Sequence, residues 1–420
     1  MLVTSQPTRD RLVDPDLPGV GSLLGVGVPP PLAAAYGAVG TTLEEAEVVS
    51  ITWWPGRQLT MRFSVTGHGG ARPCSGSAVA TIGVIPNGAV VVRHDDAEIG
   101  VWALPNDPSL PGFASALHLD TVNELLAGLG ASERATSVRL RAYRPSRRAV
   151  IQVEAGTASI FLKVVPPGEA AALHDRHRHL AATLPVPESL GVSADLGVVV
   201  MRSLPGEDLR TVLRRGAPPP HPAEIAAIPQ SLPDPVGPDR VSSPLRAVDR
   251  LTDLLTRITP ECRPLLESLR ESIGPETAEA SVATHGDYHE SQILVEGDRI
   301  RGLVDVDTYG WGRPGDDAAT MLAHLDLLSP TCRRPQQVRD LALDLNRQWD
   351  RVLNPVDLRR RVAAVALGLA VGPFRVQRPQ WPTEVADRIR AAARWNESAR
   401  LIDERSLIPT SEGSHGHHAS

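Results

Sequence analysis

The chain has 420 residues, of which 42% are hydrophobic and 22% are charged, and its formal net charge is −6. This length exceeds one ordinary domain and predicts two or three. The net acidity argues against a nucleic-acid-binding protein, because such domains concentrate basic residues on one face. No stretch approaches about 18 consecutive apolar residues, so we expect neither a transmembrane helix nor a membrane partner.

Three cysteines, Cys74, Cys262 and Cys332, are widely scattered and lack the spacing of a metal site. They are typical of free thiols in a reducing compartment. The residues after Met1 are polar and charged, unlike the apolar core of a signal peptide. These features predict a cytoplasmic protein, and the abundance of Ala, Arg, Pro and Gly suggests a bacterial source.

The first third of the chain predicts an accessory region with many strands. Residues 1 to 25 mix Pro, Asp and Gly and are expected to be flexible. Residues 26 to 130 are expected to form an accessory α+β domain, whose role in substrate capping, oligomerisation or support stays open. Strands are expected at 47–65 (with a turn), 78–84, 89–94 and 99–104, and a helix at 120–129.

Two segments of the chain resemble each other. Residues 47 to 65 resemble residues 137 to 153, and Trp-Pro-Gly-Arg at 54–57 aligns with Arg-Pro-Ser-Arg at 144–147. Each segment predicts a strand, a turn containing proline and a second strand. A remote duplication is therefore a hypothesis that so short a match leaves open.

Residues 135 to 205 are expected to form a small β-rich lobe. Strands are predicted at 139–143, 149–154 and 159–165, and the last of these apolar runs is interrupted by Lys163. Lys163 is the only lysine of the chain. A lysine in such a strand is costly unless it is paired or bound to phosphate, although an edge strand with an outward lysine is the alternative.

Residues 206 to 408 are expected to form a mainly helical lobe that contains a proline-rich excursion at 216–245. Asn354 followed by Pro355 predicts a capped helix start. The polar tail at 409–420 predicts disorder. The expected helices cover residues 251–273, 318–328, 338–353, 358–371 and 381–402.

Residues 285 to 319 carry the most specific signal of the chain. Asp287 follows a strand-like run at 280–284, Gln292 comes five residues later, and Asp305 comes eighteen residues after Asp287. Two short strands joined by a Glu-Gly-Asp turn at 296–298 would return Asp305 to the neighbourhood of Gln292.

This spacing suits phosphoryl transfer, which needs an oriented hydroxyl, magnesium and cations on the phosphates. Asp287 is then expected to accept or orient the proton of the attacking hydroxyl. Oxygen atoms of Gln292 and Asp305 would face one magnesium ion, which takes few protein ligands. Taken singly, each of these residues also fits a turn or a helix cap, so the prediction depends on their order.

The segment resembles the aminoglycoside phosphotransferase superfamily, whose members read H-G-D, then N, then I-D and a distal G-x-x-x-x-D-L-A. The counterparts are His285 to Asp287, Gln292, Asp305 and the run from Gly312 to Ala319. Gln292 replaces the usual Asn with a neutral oxygen ligand one methylene further from the backbone. Similar Gln-containing loops occur in kinases related to maltokinase. The resemblance covers residues 135 to 400.

The resemblance implies an α+β, bilobal, protein-kinase-like fold and transfer of the γ-phosphate of ATP or GTP, with Mg²⁺, to a small-molecule hydroxyl. Aminoglycosides, sugars and amino alcohols all suit as acceptors. Asp287 would be the base, Gln292 and Asp305 would hold the metal, and Asp307 is a candidate ligand for a second metal. Lys163 would contact the nucleotide phosphates.

Further residues receive supporting roles by the same resemblance. His285 and Asp317 are expected to fix the catalytic loop. The backbone from Met201 to Ser203, in the hinge between the lobes, would form hydrogen bonds with the adenine, and Met201 would pack on its ring. Arg147 or Arg148 would replace the absent glycine-rich loop by gripping phosphates, with a solvated basic turn as the alternative.

Kinases pair the strand lysine with a glutamate on the following helix, and this position holds His177 here. Glu169 or Asp175 is therefore expected to replace it, or the pair is absent. Two other functions stay open. One is a nucleotide-binding pseudokinase, and the other is a kinase with a protein acceptor, against which the lack of an A-P-E motif argues. The oligomeric state is not predicted.

Overall fold

The computed structural model describes residues 6–130, 134–156, 158–276 and 280–406. The predicted disorder at 409–420 lies outside the described residues. In the described part of the chain, no helix is both long and apolar enough to span a membrane. The architecture consists of an N-terminal region, a small β-rich lobe and a helical large lobe, which confirms the predicted α+β kinase-like fold with an additional N-terminal sheet.

The N-terminal region contains a five-stranded antiparallel sheet with the strand order β1-β2-β3-β5-β4. Alternate residues of β2, including Leu59, Met61 and Phe63, are fully buried, as expected for a strand with one covered face. Its elements are α1 (Gln6–Arg11), α2 (Pro30–Gly37), β1 (Thr41–Trp54), β2 (Gln58–Gly69), β3 (Arg72–Ile82), β4 (Val90–His94), β5 (Ala97–Ala103), α3 (Gly112–Ser115) and α4 (Leu119–Gly128).

The segment before this sheet is packed, although residues 1 to 25 were predicted to be flexible. Helix α1 and a 3₁₀ turn at Val20–Leu23 lie in the described part of that segment. Leu12, Leu17 and Leu23 are buried in the same core as the sheet. Burial of these side chains outweighs the turn-forming composition that suggested flexibility.

The small lobe contains a second five-stranded antiparallel sheet, with the order β6-β7-β8-β10-β9. A helix separates β8 from β9, as the sequence predicted. The elements are β6 (Ala135–Arg144), β7 (Arg148–Ala155), β8 (Ala158–Val164), α5 (Pro167–Ala181), β9 (Ser189–Ser193) and β10 (Val198–Arg202).

The two sheets share their strand order and the shape of their first turn. Trp54 pairs with Gln58 across the first turn, and Arg144 pairs with Arg148 across the second. The third turn residue adopts a left-handed conformation in both, with φ of 68° at Gly56 and 58° at Ser146. These features support the hypothesis of a duplication.

The large lobe is mainly helical and contains two small sheets around the catalytic segment. The predicted Asn354 cap is present, because its side chain accepts the Asp357 N–H at 3.0 Å. The elements are β11 (Glu207–Asp208), α6 (Leu209–Arg215), α7 (Pro222–Ala227), α8 (Val248–Ile258), α9 (Arg263–Ile273), β12 (Val282–Thr284), β13 (Ile293–Glu296), β14 (Arg299–Leu303), β15 (Gly310–Gly312), α10 (Asp316–Leu328), α11 (Pro335–Trp349), α12 (Pro355–Ala370), α13 (Gly372–Arg375) and α14 (Trp381–Ser406).

The single helix predicted at 251–273 is wrong, since this segment forms α8 and α9 separated by a break at Thr259–Cys262. Pro260 and Pro264 lack the N–H that a continuous helix needs, and each occupies the first turn of the helical segment it enters.

The N-terminal region contacts both lobes. Toward the small lobe, the Trp102 indole N–H donates to the Tyr143 hydroxyl at 3.1 Å, and that hydroxyl donates to Asp107 at 2.7 Å. Toward the large lobe, the Arg11 guanidinium donates to the Ile258 carbonyl at 2.7 Å. The additional sheet is therefore part of the folded unit that surrounds the site.

Candidate active site

The loop at residues 285–292, which the sequence analysis predicts to be the catalytic loop, follows β12 and is anchored by a buried carboxylate. Asp317 accepts the backbone N–H groups of His285 at 2.7 Å and Gly286 at 2.9 Å. The ring of His285 lies 3.0 Å from the Val304 carbonyl through Nε2. Burial raises the pKa of Asp317 to about 7, against the two N–H bonds that lower it. His285 and Asp317 therefore lie where the sequence analysis expected them to hold the loop.

The hairpin β13–β14 returns the chain to this loop. Ile293 pairs with Leu303, and the Val304 N–H donates to the Gln292 carbonyl at 2.8 Å. Asp305 follows immediately, with φ of 55° and ψ of 44°. A left-handed conformation is uncommon for a residue other than glycine and typically occurs at functional positions. The backbone thus brings Gln292 and Asp305 together.

Two cations from the small lobe meet two carboxylates from the large lobe. The Lys163 ammonium lies 3.0 Å from Asp305 and also donates to Asp307. Arg148 forms a bidentate pair with Asp305, with both contacts at 3.0 Å, and a third contact at 3.0 Å with Asp307. The Lys163 side chain is only 6% exposed, so this ammonium faces the site and not the solvent.

Both carboxylates are ionised despite their burial. Burial raises the pKa of Asp305, but the charges of Lys163 and Arg148 lower it more, so that the pKa lies below its usual range. Burial also raises the pKa of Asp307, while the nearby His177 and the pair with Lys163 hold it well below that range. The cluster thus contains two positive and two negative groups.

The expected acidic partner on helix α5 is absent. Glu169 and Asp175 are exposed, and neither pairs with Lys163 in the described chain. His177 is buried, contacts the Pro187 carbonyl at 2.7 Å through Nδ1 and lies 3.8 Å from Asp307 through Nε2. Asp307 takes the place of the acidic partner of Lys163 that was expected on α5. The left-handed conformation of Asp305 brings the Asp307 carboxylate beside that of Asp305.

Asp287 lies on the other side of the loop beside a pair of histidines. Its side chain is 45% exposed, and one of its oxygens lies 3.7 Å from His289 Nε2. The ring of His289 stacks on His324, with centroids 4.0 Å apart. Burial raises the pKa of Asp287, but His289 and His324 lower it to a net value below its usual range. An ionised carboxylate is the form that a proton acceptor requires.

Sequence reasoning missed His324 and its neighbours. His324 lies on α10 outside any motif, and burial lowers its pKa to about 3. Glu290 is fully buried and accepts from Arg210 Nε at 2.7 Å, while its second oxygen has no hydrogen bond in the described structure. The sole sequence signal for Glu290 and His289 was their place within the catalytic loop.

The oxygen donors fit magnesium by their chemistry. Asp305 and Asp307 are ionised carboxylates, and the Gln292 amide nitrogen lies 3.0 Å from His289, with no hydrogen bond to the amide oxygen among residues that the structure describes. Hard oxygen ligands of this type suit Mg²⁺. Candidate ligand atoms of Asp287, His289 and His324 also lie within 4.8 Å of one another, but two imidazoles favour transition metals over magnesium.

The remaining predicted residues have mixed positions. Met201 is buried on β10, next to the strand that carries Lys163. Ser203 follows β10, and its backbone N–H donates to the Ser159 carbonyl at 3.2 Å. Arg148 reaches the carboxylates, whereas Arg147 is exposed and makes no side-chain contact in the described chain. The basic turn therefore supplies one cation to the site and leaves the other in solvent.

Residues 144–353 match the sequence profile of the phosphotransferase enzyme family, known as APH. The match covers half of the chain and includes every predicted site residue. The chain belongs to this family. The resemblance inferred from the catalytic segment is thus confirmed, and the N-terminal sheet lies outside the matched residues.

Several solved structures are similar to the chain. An aminoglycoside-3'-phosphotransferase of type VIII is 19% identical, with a TM-score of 0.41, over 60% of this chain and 97% of that chain. A macrolide 2'-phosphotransferase from Brachybacterium faecium is 17% identical, with a TM-score of 0.41, over 70% and 100%. A choline/ethanolamine kinase family protein from Mesorhizobium loti is 16% identical, with a TM-score of 0.44, over 64% and 92%. No curated protein matches the chain significantly.

Proposed function

We propose that this protein transfers the γ-phosphate of ATP or GTP to a hydroxyl group of a small molecule. One observation carries the proposal. An ionised, half-exposed Asp287 lies on the loop that the β13–β14 hairpin joins to Asp305, and Asp305 faces Lys163 from the opposite lobe. Membership of a phosphotransferase family supports the same reaction.

In this proposal Asp287 orients the acceptor hydroxyl and accepts its proton as the phosphoryl group moves. Lys163 and Arg148 hold the phosphates, and Met201 and the backbone near Ser203 flank the base. Asp305 and Gln292 would hold magnesium, with Asp307 as the candidate for a second ion. Magnesium, when bound, neutralises charge on the transferring group.

The charge cluster gives Lys163 and Arg148 a defined task. They neutralise Asp305 and Asp307 through direct ion pairs. Asp305 and Asp307 would hold magnesium, and Lys163 and Arg148 would then be available to the nucleotide phosphates. Either kind of partner would compensate the negative charge of the two buried carboxylates.

A nucleotide-binding pseudokinase is the second candidate. The observations in its favour are His177 in place of the helix glutamate, Gln292 in place of the usual Asn, and a first turn without consecutive glycines. The two functions differ in turnover, so a measurement of transfer separates them.

The test compares the wild-type protein with Asp287→Asn, using ATP labelled in the γ-phosphate, Mg²⁺ and a broad pool of metabolites. We expect label on a small molecule with the wild type and a loss of about 100-fold or more with Asp287→Asn, as for removal of a general base. Asp298→Asn, in the exposed hairpin turn, is the matched control and should retain wild-type transfer.

Three results would decide against parts of the proposal. Wild-type transfer by a folded Asp287→Asn protein would exclude Asp287 as the base. Thermal stabilisation by ATP without label on any acceptor would favour the pseudokinase. Label on added protein instead of metabolites would revive a protein acceptor.

A further inference from the structure

A large cavity lies beside Asp287 on the side of His324. Its volume is about 510 Å³, and both His324 and Glu290 line it. A ligand atom of His324 lies within 4.8 Å of the Asp287 carboxylate, so a side chain that lines the cavity adjoins the proposed base. Its walls come from the large lobe and from the first turn of the N-terminal sheet.

The charge of this cavity is strongly positive, although the chain as a whole is acidic. Its lining contains six arginines and a single carboxylate, Glu290, which gives a formal charge of 6 − 1 = +5. The whole chain has a formal charge of −6. The arginines are Arg210, Arg214, Arg250, Arg375, Arg378 and Arg388.

Two of these arginines are neutralised by carboxylates. Arg210 pairs with Glu290 at 2.7 Å, and Arg378 pairs with Glu384 at 2.7 Å. The other four face no carboxylate in the ion pairs of the described chain. This excess of positive charge is unfavourable for an empty cavity and favourable for one that binds an anion.

The four unneutralised arginines differ in what they contact. Arg388 donates to the Leu369 carbonyl at 2.7 Å, and the Arg250 guanidinium lies over the Trp54 ring at 4.5 Å from its centroid. The side chains of Arg214 and Arg375 make no hydrogen bond or ion pair within the described residues. Both residues are exposed and both line the cavity, so guanidinium donors without a protein partner in the described chain are available to a ligand.

We propose that this cavity binds the acceptor and that the acceptor is an anion, namely a small hydroxyl compound that carries a carboxylate or phosphate group. This inference depends on the proposed phosphotransferase function. Guanidinium groups bind carboxylates and phosphates in bidentate geometry, and they repel amino groups. A polycationic aminoglycoside or a quaternary ammonium alcohol does not suit a lining of this charge.

The carbon skeleton of the acceptor also has a surface to contact. Leu254, Val371 and Phe374 line the cavity, and Trp54 and Pro55 close it from the N-terminal sheet. The accessory region therefore supplies part of the acceptor wall, which favours capping among the roles left open by its sequence. The pocket thus combines an apolar wall with anion-binding donors.

The test separates a metabolite extract by ion exchange at neutral pH into anionic, neutral and cationic fractions. Each fraction is incubated with the full-length protein, γ-labelled ATP and Mg²⁺. We expect the labelled small-molecule product to arise from the anionic fraction. Product from the neutral or cationic fraction alone would overturn the inference while leaving the proposed function intact. Absence of product from all three fractions would contradict the phosphotransferase proposal and this inference with it.

Two substitutions locate the binding groups. We expect Arg214→Gln and Arg375→Gln each to raise the KM for the anionic acceptor by roughly tenfold, the loss expected for one charge-assisted hydrogen bond, with the KM for ATP unchanged. Arg351→Gln, at an exposed position outside the cavity, should leave both values at wild type. A raised KM for ATP in the Arg214 or Arg375 variant would assign the cavity to the nucleotide, and unchanged acceptor KM in both variants would exclude it as the acceptor site.

Discussion

The two five-stranded sheets of this protein have the same strand order but different chemistry at matched positions. When their first turns are aligned, Lys163 of the second sheet lies opposite Val150, and Thr81 of the first sheet lies opposite Thr60. Lys163 bonds two carboxylates of the large lobe, whereas the Thr81 hydroxyl lies 2.9 Å from that of Thr60 within its own sheet. In the second sheet the side chain at this position forms ion pairs with the large lobe, whereas in the first sheet it forms a hydrogen bond within the sheet.

The first turn shows the same contrast. Arg148 of the second sheet forms a bidentate ion pair with Asp305. Gln58, which occupies the same position of the first turn, donates to the Thr60 hydroxyl at 3.2 Å. The first sheet instead presents Trp54 to the arginine-lined cavity. The backbone frame that the two sheets share is therefore not sufficient for this charge cluster, which needs cations at two positions and carboxylates facing them.

Substitution of Lys163 by the residue of the first sheet should have the largest effect. We expect Lys163→Thr to lower phosphate transfer by about 100-fold or more, because it removes a preorganised cation from the transferring group. Lys163→Arg keeps the charge and should retain more activity than Lys163→Thr. Steady-state transfer rates measure both. Equal activity of Lys163→Thr and the wild type would show that phosphate transfer does not require the charge of Lys163, which would contradict the functional contrast between the two sheets.

The same variant has a pH signature in its stability. In the wild type the folded-state pKa values of Asp305 and Asp307 lie below 3.8, so their pairing stabilises the fold above that pH and is lost below it. Lys163→Thr removes one cation and raises both pKa values. We expect its deficit in free energy of unfolding, measured with urea, to be constant from neutral pH down to about 3.8 and to narrow as the pH falls below that value.

Neighbouring arginines of the second turn provide an internal control of moderate effect. Arg148→Gln introduces the residue of the first sheet, and we expect it to raise the KM for ATP by about tenfold through loss of a charge-assisted contact. Arg147→Gln should change this KM by less than about twofold, because exposed charges contribute little. A larger effect of Arg147 than of Arg148 would contradict the assignment of the site cation.

The smallest effect is expected in the first sheet itself. Trp54→Ala removes the ring beneath Arg250 and part of the acceptor wall, and we expect it to raise the acceptor KM by roughly fivefold without changing the KM for ATP. Val84→Ala, an exposed apolar position in the same region, is the matched control. If Trp54→Ala lowers only the melting temperature, its wall is structural and does not serve the acceptor.

The sequence was sufficient to predict the local geometry of the catalytic segment. The Glu-Gly-Asp turn and its flanking apolar runs required a hairpin, and that hairpin brings Asp305 beside Gln292. The short match between the two proline-containing turns also predicted a strand, a turn and a second strand in each segment, and both sheets begin with this unit. Local patterns succeed where one turn decides the geometry.

Contacts between distant segments were beyond such patterns. The two carboxylates that pair with Lys163, those of Asp305 and Asp307, lie 142 and 144 residues away along the chain. For this reason an acidic partner was expected on helix α5, whereas the segment after β14 supplies both carboxylates. The arginine-lined cavity draws on the first turn and on helices near the end of the chain, and no periodicity joins these segments. Pro260 and Pro264 indicate a helix break in the sequence, but the helical spacing of apolar residues over 251–273 led to the prediction of one continuous helix.

The attachments of the N-terminal sheet affect how the crevice between the lobes opens. The region that contains this sheet is bound to the small lobe through Asp107 and Tyr143, and to the large lobe through Arg11. A large movement of one lobe relative to the other has to break one of these hydrogen bonds. The N-terminal region therefore links the two lobes and restrains their movement relative to each other.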